Sequence, residues 1–301
     1  MDKLLVICGA TATGKTRLAV ELAKKLKTEI ISADSQLIYR GLNIGTAKPT
    51  IAEMQGITHR LIDVVEPDCN FSVSDYAQFA EPPIKELLNK GKVPVICGGT
   101  GFYINSILFD LSYGNVARCE EVRNKYLKIA DEKGKEYLYK LLRDVDPKSA
   151  EKLHCNDVKR VIRALEIYEV GGKKKSEIDD GLKPKYDYVA VAVDYPREEL
   201  YSRIDKRVDE MFERGLVDEV KTLLRNGIDE NCQSMQAIGY KEVVNCFKNG
   251  NKESTMRDVI KLNTRHYAKR QITFFKKLKN IFWLKPEEAT AERVLELFNG
   301  Q

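Results

Sequence analysis

The sequence predicts an α/β fold in which a parallel-sheet core is interrupted by an inserted helical domain. Three observations carry that expectation. A glycine-rich loop, "GATATGKT" at residues 9–16, joins an apolar run to a helical pattern. Short apolar runs then alternate with helical stretches up to residue 112, as in sheets flanked by helices. A charged, strandless stretch over 113–184 finally separates those runs from a fresh one at 186–194.

The elements follow in order. Leu4-Leu5-Val6-Ile7-Cys8 reads as a buried strand, and Leu18, Ala19, Leu22, Ala23 and Leu26 share one helical face behind the loop. Gly9, Gly14, Lys15 and Thr16 fit G-x-x-x-x-G-K-[ST], so strand, loop and helix together read as a P-loop. "TEIISAD" is a second strand ending in Asp34, "RLIDVV" a third, and "KVPVICGGTG" a fourth that Gly98-Gly99 stops. The stretch 113–184 is rich in Leu, Tyr and Arg and reads as helices. "YDYVAVAVD" returns the chain to the sheet, helices run on through Lys279, and "IFWL" precedes a last helix. The expected division is therefore 1–112 with 185–301 as a P-loop α/β core, and 113–184 as the insertion. A hydrophobic content of 43% suffices for such cores.

Composition excludes several classes. The longest uncharged stretch, Val93 to Phe109, holds Pro94 and "GGTG" and is shorter than the ~20 apolar residues of a membrane span. No charged, apolar and small-residue run opens the chain as a secretory leader does. Seven cysteines without a C-x-x-C pair argue for reduced thiols in a cytoplasm rather than a disulfide frame or zinc site. Cys8 and Cys97 lie in apolar runs, as small core residues do.

The loop is a phosphate cradle in its residue types. Its glycines let backbone N–H groups converge on anionic oxygens, and the following helix adds its positive end. Lys15 is placed for the terminal phosphates, and the Thr16 hydroxyl for a magnesium ion. Asp34 ends a strand and faces the side where open α/β sheets bind ligands, although a turn role would also suit it. Asp63 and Asp194 end or interrupt apolar runs and are alternatives as metal-linked acids. No N-K-x-D segment exists, and the lone "DEKG" lies in charged helical sequence, which disfavours a GTPase. Two readings stay open on residue types alone: Asp34 activates an acceptor that attacks phosphorus, or one that attacks carbon.

The net charge of +5 is unevenly spread. Lys261, Arg265 and Lys269 recur at helical spacing, Arg270, Lys276, Lys277 and Lys279 follow, and Tyr267, Phe274 and Phe275 interleave. "NDVKRVIRALE" adds Lys159, Arg160 and Arg163. Each patch alone fits a solvated face. Together with a phosphate loop they suit a long polyanion such as RNA.

"GATATGKTRLAVELA", "ISADSQLIYRGLNIGTAKPT", "HRLID", "VICGGTGFYINSIL", "NDVKRVIRALEIYE", "RIDKRVDEMFERGLVDEV", "QAIGYKE" and "TRHYAKRQITFF" occur in this order. They resemble the run of motifs of bacterial tRNA dimethylallyltransferases (tRNA isopentenyltransferases) over nearly the whole chain. The resemblance implies transfer of a dimethylallyl group from dimethylallyl diphosphate to N6 of the adenine 3′-adjacent to the tRNA anticodon, with diphosphate as leaving group. It implies that Gly9, Ala10, Thr11, Ala12, Thr13, Gly14, Lys15 and Thr16 bind the diphosphate, with magnesium on Thr16. Arg203 matches the family's diphosphate-contacting arginine, and Asp34 the base that takes the adenine amine proton. The tRNA-contacting positions implied are Asp34, Ser35, Gln36 and Leu37; Thr100; Arg123; Lys159, Arg160, Val161, Ile162 and Arg163; and Gln236, Ala237, Ile238, Gly239, Tyr240 and Lys241. The expected enzyme is a cytoplasmic monomer whose adenine is flipped into the site.

Four positions depart from the pattern. Ala10 replaces a proline, "VGGKKKSE" replaces Thr-Gly-x-Pro, and Phe274 replaces a tryptophan. Glu81-Pro82-Pro83 is expected to interrupt a helix that is usually unbroken. The zinc finger of eukaryotic relatives is missing.

Overall fold

A strand buried on both faces needs no alternation of apolar and polar residues, and β1 (Lys3–Cys8), KLLVIC, has none. The computed structural model describes residues 2–112, 116–178, 183–250 and 252–300. Within it β1 is followed by α1 (Lys15–Leu26), β2 (Ile30–Ser32), α2 (Ile51–Met54), β3 (His59–Arg60), α3 (Val73–Asn89), β4 (Val95–Cys97) and α4 (Gly101–Leu108). Next come α5 (Glu120–Lys133), α6 (Lys135–Val145), α7 (Pro147–Ala150) and α8 (Val158–Gly171). The chain ends with β5 (Asp187–Val193), α9 (Arg197–Glu213), α10 (Leu216–Arg225), α11 (Tyr240–Asn249), α12 (Glu253–Phe275), β6 (Ile281–Leu284) and α13 (Ala291–Asn299).

The strands form one parallel sheet in the order β3-β2-β4-β1-β5-β6. All the carboxyl ends therefore lie along one edge, and β1 opens there between β4 and β5. Leu5 and Ile7 of β1 pack with Leu18, Leu22 and Ala23 of α1 and with Val294 and Phe298 of α13 in the main core. The chain divides into two compact units, Met1–Leu108 with Lys185–Gln301, and Phe109–Pro184. The second unit buries Leu138, Leu142, Val161 and Leu165 in its own helical core. Positions 113–115, where the insertion is expected to start, lie outside the described residues.

Two expectations are corrected. "RLIDVV" is not the third strand: β3 ends at Arg60, because Leu61 (φ 63°) and Asp63 (φ 55°) are left-handed and leave the sheet. The Val64 and Val65 N–H groups donate instead to Ile38 O at 2.8 and 3.1 Å. Second, Pro82 and Pro83 do not interrupt α3, which runs through both. The carbonyls that lose a donor are those of Gln78 and Phe79, and both residues are accessible, so water can replace the missing bonds.

Candidate active site

The phosphate loop closes on itself before it meets anything else. Gly9 takes φ +114°, and a Cβ there would press on Ala192 of β5. The Thr13 hydroxyl donates to Ala10 O at 2.9 Å, and Lys15 Nζ to the same oxygen at 2.5 Å. Gly14 (φ 80°) starts α1 with no side-chain cap, so the first helical N–H groups are left for an anion. Burial pushes the Lys15 ammonium down to about 8, against the pull of neighbouring Cys97 and Asp34 and with the push of Arg207. Burial also raises the Cys8 and Cys97 thiols to about 12, which keeps them neutral beside that lysine. The Thr16 hydroxyl makes no hydrogen bond to another described residue. With no cluster of three metal-binding side chains among the described residues, a cation here would rest on this hydroxyl, phosphate oxygens and water.

Helix α9 supplies the cations on the other side of the loop. Arg203 Nε donates to Ala12 O at 2.8 Å, and its guanidinium lies 4.5 Å from the Tyr195 ring centroid. One turn later Arg207 Nη1 donates to Thr11 Oγ1 at 3.2 Å. Burial lowers the Arg207 pKa, opposed by Asp34 and Glu53. Neither arginine has a carboxylate within 4 Å among the described residues. Sequence reading singles out Arg203 and passes over Arg207. The i,i+4 spacing of the two was the available signal.

Asp34 follows β2 at the same edge. Ala33 N donates to Cys97 O at 2.8 Å and Thr100 N to Ala33 O at 3.1 Å, which locks the β2 and β4 ends together. Gly98 has no room for a side chain, since a Cβ would overlap the Ala33 carbonyl. Asp34 Oδ1 accepts the Gln36 N–H at 2.9 Å in a local turn. Thr100 Oγ1 accepts the Ser35 N–H at 2.9 Å and reaches Ser35 Oγ at 3.2 Å. Lys15 and Arg207 thus bond to the loop at the sheet edge where Asp34 follows β2. The other two acids are elsewhere engaged or displayed: Asp63 pairs with buried Lys48, and Asp194 is exposed.

The loop after Asp34 is held by a carboxylate that sequence reading missed. Glu219 accepts the N–H groups of Asn43, Ile44 and Gly45 at 2.9–3.2 Å and the Tyr240 hydroxyl at 2.5 Å. Tyr240 is fully buried, Ala237 is buried, and Gly239 is left-handed, while Gln236 is exposed and Ile238 and Lys241 are half-buried. Of the basic face on α12, Lys261 pairs with Asp209 at 2.8 Å, and Arg265 Nε with Asp205 at 3.0 Å. Lys269 and Arg270 remain exposed. The acids of α9, not solvent, take up much of that charge.

In the second unit, Lys159 and Arg160 are exposed, whereas Val161 and Ile162 sit in the core. Glu166 is 0% exposed. It accepts Arg123 Nε and Nη2 at 2.8 and 3.0 Å, Arg163 Nη1 at 2.5 Å and Cys119 N at 2.8 Å. Burial alone would raise its pKa, but Arg123, Arg163 and the Cys119 N–H more than offset it and hold it at about 2.

The family model for IPP transferase matches residues 37–278. The chain belongs to the IPP transferase family. A tRNA dimethylallyltransferase of Acetivibrio thermocellus is 45% identical to it over 291 residues, 96% of this chain and 93% of that protein. One from Bacillus cytotoxicus is 44% identical over 304 residues, 100% and 96% of the two chains. The crystal structure of a Bacillus halodurans tRNA isopentenylpyrophosphate transferase aligns with a TM-score of 0.74 at 39% identity, covering 100% of this chain and 95% of that one. A eukaryotic dimethylallyltransferase described as acting on tRNA aligns at 0.82 and 32% identity, over 96% and 74%. This IPP transferase chain contains no helix, among the described residues, long and apolar enough to cross a membrane.

Proposed function

We propose that this protein is a tRNA dimethylallyltransferase that moves the dimethylallyl group of dimethylallyl diphosphate to N6 of the adenine 3′-adjacent to the anticodon. The observation that carries the reading is the placement of two cations on the glycine loop, Lys15 on Ala10 O and Arg207 on Thr11 Oγ1, at the sheet edge where Asp34 follows β2: two cations for a leaving diphosphate, one carboxylate for an incoming amine. The names of its close relatives point the same way.

In this mechanism residues 9–16 cradle the diphosphate through backbone N–H groups other than that of Thr11, which donates to Gln271, and Lys15, Arg203 and Arg207 stabilise the charge that grows as the carbon–oxygen bond breaks. Arg207 suits the task because a half-buried guanidinium, bonded among the described residues only to a threonine hydroxyl, keeps donors free for bidentate oxygen contacts. A magnesium ion on the Thr16 hydroxyl would neutralise diphosphate charge. The adenine amine is a weak nucleophile, so alignment and a base matter most. Asp34, whose Oδ1 is steadied by Gln36 N–H, accepts the proton as nitrogen attacks the allylic carbon. Ser35, Gln36, Leu37 and Thr100 border the adenine, which must leave its stack to reach them. Surface side chains of the helical unit, Lys159 and Arg160, and Gln236 and Lys241 of the core unit, meet the tRNA backbone. Seven free cysteines suit a reducing cytoplasm, and the reaction needs only a monomer.

The test is incubation with bulk tRNA and either labelled dimethylallyl diphosphate or γ-labelled ATP. Label should reach RNA only from the prenyl donor. Label transferred from ATP would replace this reading with a kinase. Asp34→Asn should lower kcat by ~10²–10⁴-fold with tRNA affinity kept, and an undiminished rate would remove the base assignment.

A further inference from the structure

Gln271 has a buried side-chain amide, 5% exposed, that belongs to neither the phosphate loop nor the Asp34 segment and yet binds beside both. Its Oε1 accepts the Thr11 N–H at 2.8 Å, and its Nε2 donates to Gly99 O at 3.0 Å. Both ends of the amide are used, one as acceptor and one as donor, so no carboxylate or hydrocarbon of the same shape could replace it. Residue 99 must be glycine for this to happen, because a Cβ there would overlap the amide nitrogen.

The two bonds lead to opposite reacting groups. On one side, Thr11 N–H is turned out of the cradle onto Gln271, which sets the loop so that Thr11 Oγ1 can accept from Arg207 at 3.2 Å. On the other side, Gly99 precedes Thr100, whose hydroxyl receives the Ser35 N–H next to Asp34 at 2.9 Å. Helix α12 is itself seated firmly: Ala268 is fully buried, and the Phe274 ring fills the space beside Gly101. Tyr267 lies one turn before Gln271 on the same helical face.

We propose that Gln271 is a positioning residue for the transfer, holding the leaving-group side of the site (Thr11 and Arg207) in register with the base side (Thr100, Ser35 and Asp34). The proposal rests on the prenyl-transfer reading above. Gln271 touches neither substrate. It fixes the separation between the breaking bond and the base, and displacing aligned groups by about 1 Å can cost ~10²-fold in rate.

The experiment compares wild type, Gln271→Met and Gly99→Ala with dimethylallyl diphosphate and tRNA. The methionine has the length of glutamine without its hydrogen bonds, and the alanine pushes the same amide aside while leaving Gln271 in place. Both should lower kcat by ~10²-fold, with tRNA Kd and Tm close to wild type. If Gln271→Met does not fold, Gly99→Ala decides alone. A wild-type kcat in the folded variants overturns the proposal, as does loss of tRNA affinity and Tm in parallel with rate, which would mark a purely structural bridge. A wild type that transfers no prenyl group sinks the functional reading and this proposal with it. An active wild type beside an equally active variant sinks only the role of Gln271.

Discussion

Two pairs of arginines sit in this molecule, and the fold uses them in opposite ways. Arg203 and Arg207 lie one turn apart on α9 and bond to the phosphate loop through a carbonyl and a hydroxyl, with no carboxylate within 4 Å among the described residues. Arg123 and Arg163, from α5 and α8, converge on the fully buried Glu166. The residue type is the same. The difference is whether the fold itself supplies the anion. Where it does, the guanidinium is paired within the fold. Where it does not, a cation is left beside the loop that an anionic substrate can complete.

The largest expected effect strikes the first pair. Arg207→Ala should reduce kcat by ~10²–10³-fold, the usual loss when a preorganised donor to developing charge is removed, with Tm nearly unchanged. A normal rate would break the contrast, because Arg207 would then be as structural as Arg163.

Arg163→Ala should do the reverse. Stripping one partner from a buried ion cluster typically costs about 3–5 kcal/mol, so thermal unfolding should shift clearly while kcat of the folded enzyme survives. If Arg163→Ala instead leaves Tm alone and weakens tRNA binding, Arg163 belongs with the substrate after all.

Titration separates the regions further. Glu166 has its folded pKa depressed to about 2, below the roughly 4.3 of an unfolded glutamate. Its contribution to stability is therefore complete above about 4.3 and is lost as pH falls from there toward 2. Acid unfolding of wild type should show this window, and Glu166→Gln should flatten it. Lys15 works at the other end. With burial holding it at about 8, it loses its charge as pH rises through that value, so kcat/KM for the diphosphate donor should decline above pH 8. A flat profile to about pH 10, the range of an ordinary lysine, would mean that the free enzyme keeps Lys15 charged.

The smallest effect concerns the exposed cations. Replacing Lys159 and Arg160 together by alanine should reduce the salt slope of tRNA binding by about one unit of log K per log[salt] for each phosphate that the pair neutralises, while leaving kcat intact. An unchanged slope would assign these side chains to solvent, leaving the α8 surface with no RNA role.

The phosphate loop, its flanking strand and helix, and Asp34 at a strand end were all legible in the chain, because each is a local pattern of glycine, apolar period and strand boundary. The third strand was misread for an equally local reason. "RLIDVV" is apolar enough, but two left-handed residues, Leu61 and Asp63, turn it out of the sheet. The prolines of α3 misled in the other direction, since their cost depends on whether the deprived carbonyls face water. The basic face of α12 looks free for a polyanion in sequence, but Asp205 and Asp209 of α9 stand opposite it.

What the sequence determined by itself is what neighbours along the chain decide: an apolar run makes a strand, glycines permit positive φ in the loop, and the helix behind it begins uncapped. Tertiary structure alone decided the strand order, the burial of Tyr240 and Val161 within segments that read as surface motifs, and the partner of every arginine. Gln271 shows why. Its amide meets Thr11 across 260 positions of sequence, and a hydrogen bond acts over about 3 Å of space with no dependence on that separation. Local pattern can say that a glutamine is on a helix, but only the folded chain brings a donor and an acceptor to its two ends.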